Sequence, residues 1–598
     1  MTTATAAAYE YRAGSALPIY ALKRRKAQKQ RGFRAKSTCG HCIKDKVLTD
    51  PCMGSGHILV YAFDVLMQIY TSAGWSERDA AKSIIENNIY GLDIDDRAGQ
   101  LAYFAVMMKA RKYSRRIMKL GLQPNVMSIQ DASFMTNEFI DFVADNDTKM
   151  KSNLRRIKEV FTDAKEYGSI LNVPSLGYEA ILDRISEIQA SLVHDVFQIG
   201  YRGIAVEKLL PLIKQAMIMS QKYDVVVTNP PYMSISNTSA NVNEYVIDNY
   251  PDAKADLYTI FIDKCSRMIK PNAYQAMITQ HGWMFLGSFE KMRTKLIKGT
   301  VLSMVHLGAR AFEEIGGEVV QTTAFVFNNK KDFCFKGKYV RLVDYPSQQS
   351  KEEAFLLHGN EYICSCEQFR CIPGNPFAYW ISKSFADAFN KKLLSDYAET
   401  KQGFATGNNN LFLRCWYEVS SANSQLESTT REQAKVSTNK WFPCNKGGGY
   451  RKWYGNNTYL VNWEFNGREM RGFQGSVIRN PQYYFLPGIT WSSLANKLSL
   501  RYSPEGFVFE SKGSMCFPHK QEDLLYLLGI LNSKIASEAL SVLSPTLDFH
   551  EGPMSKVPVV MIPNKENPER IVKENITICK DDYDSFETSW DFMKHPLI

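Results

Sequence analysis

The chain has 598 residues, of which 45% are hydrophobic and 22% charged, a composition typical of a globular protein with several domains. No stretch approaches the roughly 18 consecutive apolar residues of a membrane span, and we recognise no apolar secretory signal at the N-terminus, so we predict no membrane segment. The 12 cysteines are scattered rather than arranged as a disulfide framework, which predicts a reducing, cytoplasmic location.

The net charge of +10 is concentrated near the N-terminus. Residues 1–46 contain eleven Lys and Arg, against only Glu10 and Asp45. Such a basic arm can hold phosphates by counterion release. A solvated, disordered tail is the simpler interpretation, and an Arg-rich transit peptide is a third. The segment also carries the pair Cys39 and Cys42, but without further ligands at suitable spacing we predict no metal site.

Short β-rich runs alternate with longer helical patterns from residue 47 to about residue 335, which is typical of βαβ units and a parallel sheet. The predicted strands are 46–49, 89–94, 126–129, 223–228, 273–279, 302–307 and 323–327. The helices predicted between them are 58–70, 97–109 and 257–269. The interval of about 135–222 is mostly amphipathic helical pattern and too long for a simple crossover, so we predict an inserted helical subdomain there.

Beyond about residue 335 the sequence changes to short strands with many Gly, Asn, Pro and aromatic residues. We predict a connecting segment over 336–400 and an irregular α+β domain over 401–598. Its basic residues Lys446, Arg451 and Lys452, with the nearby rings of Trp441 and Trp453, offer contacts to phosphates and stacking faces for bases. Packing of these rings in a domain short of aliphatic residues is an equally good interpretation.

A glycine-rich loop, DPCMGSG at residues 50–56, follows the first predicted strand and precedes a helix. Glycine there lets the backbone approach a ligand that a Cβ would exclude. The loop lacks the Gly-Lys-Ser/Thr of a Walker site. Asp93 ends the second strand and suits a ribose diol, and Asp131 after the third could accept from an exocyclic amine. Each Asp alone also fits turn capping; together they predict an adenosine pocket without pyrophosphate machinery, for S-adenosylmethionine before NAD.

The run YDVVVT ends at Asn229-Pro230-Pro231-Tyr232. Two prolines fix two φ angles and remove two N–H donors, so this turn is a rigid hydrogen-bond acceptor at a strand end. The Asn229 oxygen and the Pro230 carbonyl can accept both hydrogens of an amino group and leave its lone pair directed at an incoming methyl group. Tyr232 offers a ring on which a target base can stack. A base inside a duplex is out of reach, so this chemistry predicts base flipping.

In this order, the loop at 50–56, the stretch GLDID at 91–95, Asp131 and the Asn-Pro-Pro-Tyr turn resemble class I S-adenosylmethionine-dependent N6-adenine DNA methyltransferases of the gamma motif order. The stretches DPCMGSGHILVYAFDVL and YGLDIDDRAGQLAYFAVMMKAR are similar to the PglX-type methyltransferases of BREX phage-defence systems, which are related to type IIG restriction-modification enzymes. The resemblance covers residues 46–335 and continues more loosely through GFATGNNNLF (403–412) and LPGITWSS (486–493), which look like the recognition domain of that group.

The resemblance implies a Rossmann-like class I methyltransferase sheet with a helical insertion, followed by a target-recognition domain. It implies that S-adenosylmethionine is the cofactor, double-stranded DNA the substrate, and other defence-system proteins possible partners. The implied cofactor-binding residues are Asp50, Pro51, Gly54 and Gly56 for the methionine part, Asp93 for the ribose, and Ile94 and Asp131 for the adenine. The implied catalytic turn is Asn229, Pro230, Pro231 and Tyr232.

The gamma order also places a further cofactor motif before the glycine loop, and BREX members are longer at both ends, so we expect a truncated or divergent member. An alternative of a different class is a catalytically impaired DNA-binding or scaffold protein. Methylation of a protein glutamine or an RNA base is a third, although the large region beyond residue 335 argues against the glutamine. We find no PD…(D/E)xK cluster placed as a nuclease module.

Overall fold

The computed structural model describes residues 43–191, 196–312, 320–332, 334–427, 429–544 and 549–595. Within them the chain forms two compact units. The first runs to Met284 and from Ser288 to Glu367, and the second comprises Phe285–Gly287 and the residues from Gln368 onward. The basic tail predicted over 1–46 and the pair Cys39 and Cys42 lie outside the described residues, except for the last four positions of the tail. The predicted domain boundaries stay predictions.

A nine-stranded sheet of order β3-β2-β1-β4-β5-β7-β6-β8-β9 forms the centre of the first unit. Its strands are β1 (Leu48–Asp50), β2 (Ile89–Asp93), β3 (Asn125–Ser128), β4 (Tyr223–Thr228), β5 (Ile269–Gln280), β6 (Thr300–Gly308), β7 (Thr322–Asn328), β8 (Gly337–Arg341) and β9 (Glu361–Cys364). The first five pair in parallel, and β7 runs antiparallel between β5 and β6. All seven predicted strands are present, and the predicted Rossmann-like α/β fold is confirmed.

The strand order reverses beside β1. The chain builds β2 and β3 on one side of this short strand and β4 and β5 on the other. In open α/β sheets such a reversal opens a crevice outside the carboxyl ends of the strands, where ligands bind. We therefore expect ligand-binding residues directly after β1 and β4.

Helices cover the sheet and fill the interval between β3 and β4. They are α1 (His57–Ser72), α2 (Glu77–Ser83), α3 (Asp96–Tyr113), α4 (Asn137–Ala144), α5 (Thr148–Phe161), α6 (Ala164–Tyr167), α7 (Tyr178–Ala190), α8 (Val196–Ile204), α9 (Leu210–Ser220), α10 (Ala240–Asn249), α11 (Leu257–Met268), α12 (Glu290–Leu296) and α13 (Gln348–Leu356). The apolar faces of α4, α5, α7 and α9 share one core with Leu92 and Ile129 at the ends of β2 and β3. The interval predicted to be helical is therefore packed against the carboxyl ends of β2 and β3.

The second unit contains two four-stranded sheets, of order β10-β17-β14-β15 and β11-β13-β12-β16. Their strands are β10 (Ala398–Lys401), β11 (Leu413–Cys415), β12 (Trp441–Asn445), β13 (Tyr459–Asn462), β14 (Gly488–Trp491), β15 (Leu500–Ser503), β16 (Val508–Phe509) and β17 (Met515–Pro518). The helices that follow α13 in the described part of the chain are Cys366–Arg370, Lys383–Ala388, Asn409–Phe412, Arg431–Val436, Glu464–Gly472, Leu524–Leu531, Lys534–Leu543, Glu551–Ser555 and Glu566–Asp584. Each sheet has its own apolar core.

Among the described residues, no helix combines the length and the hydrophobicity needed to cross a membrane.

Candidate active site

The carboxyl ends of β1, β2 and β4 lie side by side at the reversal point. Asp50, the last residue of β1, pairs with Gly91 of β2, and Thr49 pairs with Val226 of β4. This register brings the glycine loop after β1, Asp93 at the end of β2 and the Asn-Pro-Pro-Tyr turn after β4 to one edge of the sheet. Three motifs that are far apart in the sequence thus become neighbours.

Two glycines of the loop have left-handed backbone conformations. Gly56 has a φ of +83°, and an added Cβ would meet Cα of Ala102 on α3 at 2.9 Å. Gly54 has a φ of +52°, but an added Cβ would meet no atom within 4 Å. Gly56 is thus required for the packing of the loop on α3, whereas Gly54 faces open space. Pro51, directly after Asp50, is buried.

Asp93 joins the glycine loop to the end of β2. Its Oδ2 accepts from the amide of Gly54 at 2.9 Å, and its Oδ1 accepts from the amide of Asp95 at 2.9 Å. Burial raises the pKa of the carboxyl, and these two backbone donors oppose the shift. Each oxygen retains a second lone pair, so Asp93 can still accept hydrogen bonds from a ligand.

Asp50 is fully buried beneath the loop. Its Oδ1 accepts from the amide of Cys52 at 3.1 Å, while Oδ2 has no hydrogen-bond partner of good geometry within the described residues. Burial raises the pKa of Asp50 to about 7, although the nearby Thr228 hydroxyl and the Cys52 amide lower it. Near neutral pH the carboxyl is thus divided between its neutral and charged forms.

We expect this raised pKa to make stability fall with pH. The folded chain holds the Asp50 proton more tightly than the unfolded chain, whose value is 3.8. The stabilisation by protonated Asp50 is complete below pH 4 and is lost as the pH rises through about 7. The loss in the free energy of unfolding is about 4 kcal/mol at most. Urea unfolding of the wild-type chain and Asp50→Asn should give free energies that diverge in favour of the variant between pH 4 and 8. Parallel pH profiles would contradict the prediction.

Ile94 and Asp131 continue the edge beyond Asp93. Ile94 is 44% exposed and packs its inner face near Gly168 of the helical interval. Asp131 follows β3 and uses Oδ1 to accept from the amide of Ser133 at 2.7 Å, the local turn-capping arrangement. Its Oδ2 remains as a possible acceptor.

The Asn-Pro-Pro-Tyr turn is compact. Asn229 and Tyr232 are half-buried, Pro230 is buried and Pro231 is exposed. The Tyr232 hydroxyl donates to Oδ1 of Asn229 at 3.3 Å, so the carboxamide oxygen is directed toward the Tyr232 side chain. An acceptor oxygen and an aromatic ring therefore stand together at the strand end, as the sequence predicts.

Asp256 and Tyr258 brace this turn, and sequence reasoning did not identify them. Asp256 accepts from the amide of Met233 at 3.1 Å and from the amide of Tyr258 at 3.2 Å, so one carboxylate caps α11 and ties down the turn. The Tyr258 ring meets the Tyr232 ring edge to face, with centroids 6.0 Å apart. The available signal was an Asp directly before a helical pattern, the mark of an N-cap.

Gln215 plays a comparable part at the end of β3. This fully buried side chain of α9 accepts from the amide of Gln130 at 2.6 Å and donates to its carbonyl at 3.1 Å. Two bonds to one backbone residue fix the chain directly before Asp131. The helical interval thus positions the chain at the end of β3, and no local sequence motif predicts this contact.

Two histidines join the ends of β5 and β6. Nδ1 of His281 lies 2.8 Å from Nε2 of His306. Burial lowers the pKa of His281 to about 4 and that of His306 well below its usual value. Both rings are neutral at neutral pH and share one hydrogen, so the pair fastens the segment after β5 to β6.

The basic loop of the second unit is engaged within the chain. Arg451 forms an ion pair with Asp582 at 3.1 Å, and Lys452 donates to the carbonyl of Asn532 at 2.7 Å. The ammonium of Lys446 lies over the Tyr459 ring, 4.1 Å from its centroid. Each of the three basic side chains therefore has a partner within the second unit.

Comparisons with known proteins identify methyltransferases that are similar to this chain. Residues 87–312 match the family described as Eco57I restriction-modification methylase. Adenine-specific methyltransferase PglX of Lacticaseibacillus casei (strain Zhang) is 39% identical over 576 residues, covering 93% of this chain and 47% of that protein. Adenine-specific methyltransferase BrxX of Escherichia coli O9:H4 (strain HS) is 37% identical over 582 residues, covering 92% and 47%. The chain is a homologue of these adenine-specific methyltransferases.

The resemblance inferred from the motifs is thereby confirmed. The chain spans about half the length of the curated relatives it matches. Among solved structures, it is similar to a nuclease-deletion mutant of the Type ISP restriction-modification enzyme LlaGI in complex with a DNA substrate mimic. That similarity has a TM-score of 0.49 and 11% identity, and covers 90% of this chain and 44% of that one.

Proposed function

We propose that the chain transfers a methyl group from S-adenosylmethionine to the N6 amine of adenine in double-stranded DNA, as part of a BREX or restriction-modification type phage defence. The observation that carries the proposal is the meeting of the glycine loop, Asp93 and the Asn-Pro-Pro-Tyr turn at the reversal point of the sheet. A cytoplasmic location and association with other defence proteins belong to the same proposal.

The residues present fit the cofactor. The space beside Gly54, where an added Cβ would meet nothing, is a cradle for the methionine part. Oδ2 of Asp50, which has no well-formed bond within the described residues, is an acceptor for its ammonium group, with Pro51 and Gly56 holding the loop. Asp93 would accept from the ribose. Ile94 would flank the adenine and Asp131 would accept from its amine.

When bound, S-adenosylmethionine supplies an electrophilic methyl group. The chain's own task is to prepare the nucleophile, because the lone pair of an adenine amine is delocalised into the ring. The Asn229 oxygen and the Pro230 carbonyl would accept its two hydrogens, and the rigid Pro230-Pro231 turn would hold these acceptors in position. Tyr232, backed by Tyr258, would stack on the base. The base must leave the duplex to reach this turn, at a cost of a few kcal/mol.

Replacing Asp93 by alanine should weaken cofactor binding about 10- to 100-fold, because hydrogen bonds to a charged acceptor contribute about 1.5–3 kcal/mol. Isothermal titration with S-adenosylmethionine measures the change. Asp95→Ala is the matched control: Asp95 caps α3 by accepting from the amide of Arg97 at 2.8 Å, so its loss should cost about 1 kcal/mol of stability and little affinity. Equal binding by Asp93→Ala would place the ribose contact elsewhere.

The proposal itself is tested on the full chain in two steps. Titration with S-adenosylmethionine comes first, followed by transfer of a tritiated methyl group to phage and host DNA and analysis of the modified base. Labelled N6-methyladenine is the expected product. Failure of the folded chain to bind the cofactor would favour a DNA-binding or scaffold role, and label on RNA or protein alone would reject DNA as the substrate.

A further inference from the structure

A polar cleft of about 370 Å³ lies in the second unit at the stretch GFATGNNNLF. It is lined by residues 405–410 and by Glu510, which follows β16. The volume is within the range of about 300–1,000 Å³ that is common for ligand sites. None of the lining residues is aromatic or basic, so the cleft is suited to hydrogen bonding rather than to stacking or to neutralising phosphates.

Main-chain hydrogen bonds hold both walls of the cleft. The amide of Ala405 donates to the carbonyl of Val477 at 2.8 Å, and the amide of Ser511 donates to the carbonyl of Phe404 at 2.8 Å. Gly407, at the turn, has a φ of +70°, and an added Cβ would meet neighbouring backbone at 2.8 Å. The loop is thus tightly fitted, and its side chains start from fixed positions.

Three consecutive asparagines present amides at the rim. Oδ1 of Asn408 accepts from the amide of Leu411 at 3.3 Å, and Oδ1 of Asn409 accepts from the Thr406 hydroxyl at 2.6 Å. These bonds leave both NH2 groups as donors, and each oxygen keeps a second lone pair. Within the described residues the exposed Asn410 side chain makes no hydrogen bond, so it can donate and accept.

Glu510 adds a fixed acceptor. Its side chain is buried, with Oε1 accepting from the Ser511 hydroxyl at 2.7 Å and Oε2 from the amide of Lys512 at 2.8 Å. Each oxygen keeps a second lone pair. The cleft therefore combines amide donors with a carboxylate, and the carboxylate disfavours a phosphate.

We infer that this cleft reads the edge of an adenine in the DNA duplex, an inference that rests on the proposed function because it takes DNA as the substrate. In the major groove adenine presents the N7 acceptor beside the N6 amine, which matches an amide donor beside an acceptor. Guanine presents two acceptors, N7 and O6, and would meet the carboxylate of Glu510 unfavourably. Cytosine offers its N4 donor without an adjacent acceptor.

The test selects bound DNA from a pool of randomised duplexes at one salt concentration, using the full chain as wild type, Asn410→Ala and Glu510→Gln. The wild type should enrich a sequence that contains an invariant adenine. Asn410→Ala should lower the preference for that adenine about tenfold or more. Glu510→Gln should admit guanine there, because the glutamine amide can donate to O6. Asn423→Ala removes an exposed asparagine that does not line the cleft and should leave the selected sequence unchanged.

Several outcomes would overturn the inference. One is that both cleft variants select the same DNA sequence as the wild type. Another is that the variants change the preference at a position where the wild type does not select adenine. A third is that the wild type enriches no sequence. A uniform loss of affinity for all sequences would make the cleft a backbone contact instead. Methyl transfer is measured separately on the same samples. A chain that selects a sequence but transfers no methyl group would refute the proposed activity and leave the adenine reading intact.

Discussion

Replacing Asn229 by alanine is expected to lower the rate of methyl transfer at least about 100-fold and to change the affinity for S-adenosylmethionine by less than about twofold. The Asn229 oxygen is an acceptor at the end of β4, with the Tyr232 hydroxyl 3.3 Å away. In the proposed mechanism its loss would leave the target amine with one acceptor, the Pro230 carbonyl, so the lone pair would stay delocalised. Single-turnover transfer to DNA, with titration of the cofactor on the same sample, separates the two effects.

Two further variants show whether Asn229 acts as an acceptor or only supports the turn. Asn229→Asp keeps an acceptor oxygen at the same place and should retain part of the rate. Asn237→Ala removes an exposed side chain from the following turn, Ile235–Asn237, that makes no hydrogen bond within the described residues; it should transfer at the wild-type rate. Wild-type transfer by Asn229→Ala would remove the proposed role of the turn.

Alanine substitutions at the two loop glycines should separate folding from cofactor binding. In Gly56→Ala the new Cβ meets Ala102 at 2.9 Å in a left-handed conformation, so we expect a loss of about 2–4 kcal/mol in the free energy of unfolding. Gly54→Ala carries only the backbone cost of about 1–2 kcal/mol. Its Cβ enters the open space proposed for the methionine part, so affinity should fall at least about tenfold. Urea unfolding and cofactor titration measure the two effects.

Gly74 provides the matched control for Gly54. It also has a left-handed φ, of +88°, and an added Cβ would meet nothing within 4 Å, but it lies in the turn that follows α1. Gly74→Ala should therefore cost the same backbone energy and leave the cofactor affinity unchanged. If Gly54→Ala binds the cofactor as tightly as Gly74→Ala does, the cradle is not where we propose.

Local sequence patterns missed β8 and β9 but predicted the other seven strands of the first unit and its helices α1, α3 and α11. Each rests on a local rule: the valine run of β4 is a buried parallel strand, and the prolines after it end the strand because they cannot donate to the ladder. The glycine loop could also be predicted from the sequence, since Gly56 needs a conformation that other residues adopt only with strain. For these positions the chemistry of the residue and of its neighbours in the sequence is sufficient.

Other features depend on partners distant in the sequence. The charge state of Asp50 follows from its complete burial beside β4, and burial is a property of the packed sheet. Gln215 acts on a residue 85 positions away. Arg451 and Lys452 contact Asp582 and the Asn532 carbonyl, which are 131 and 80 positions away. No local pattern carries such information.

The sequence by itself determined the alternation of strands and helices, the two rigid loops and the kind of chemistry their residues can perform, because these depend on backbone preferences and on side-chain type. Only the tertiary structure decided which strand ends meet, through the reversal of order beside β1. It also decided that Asp256 holds the Asn-Pro-Pro-Tyr turn and that Asn410 and Glu510, a hundred residues apart, line one cleft. Long-range hydrogen bonds and burial exist only once the chain has folded.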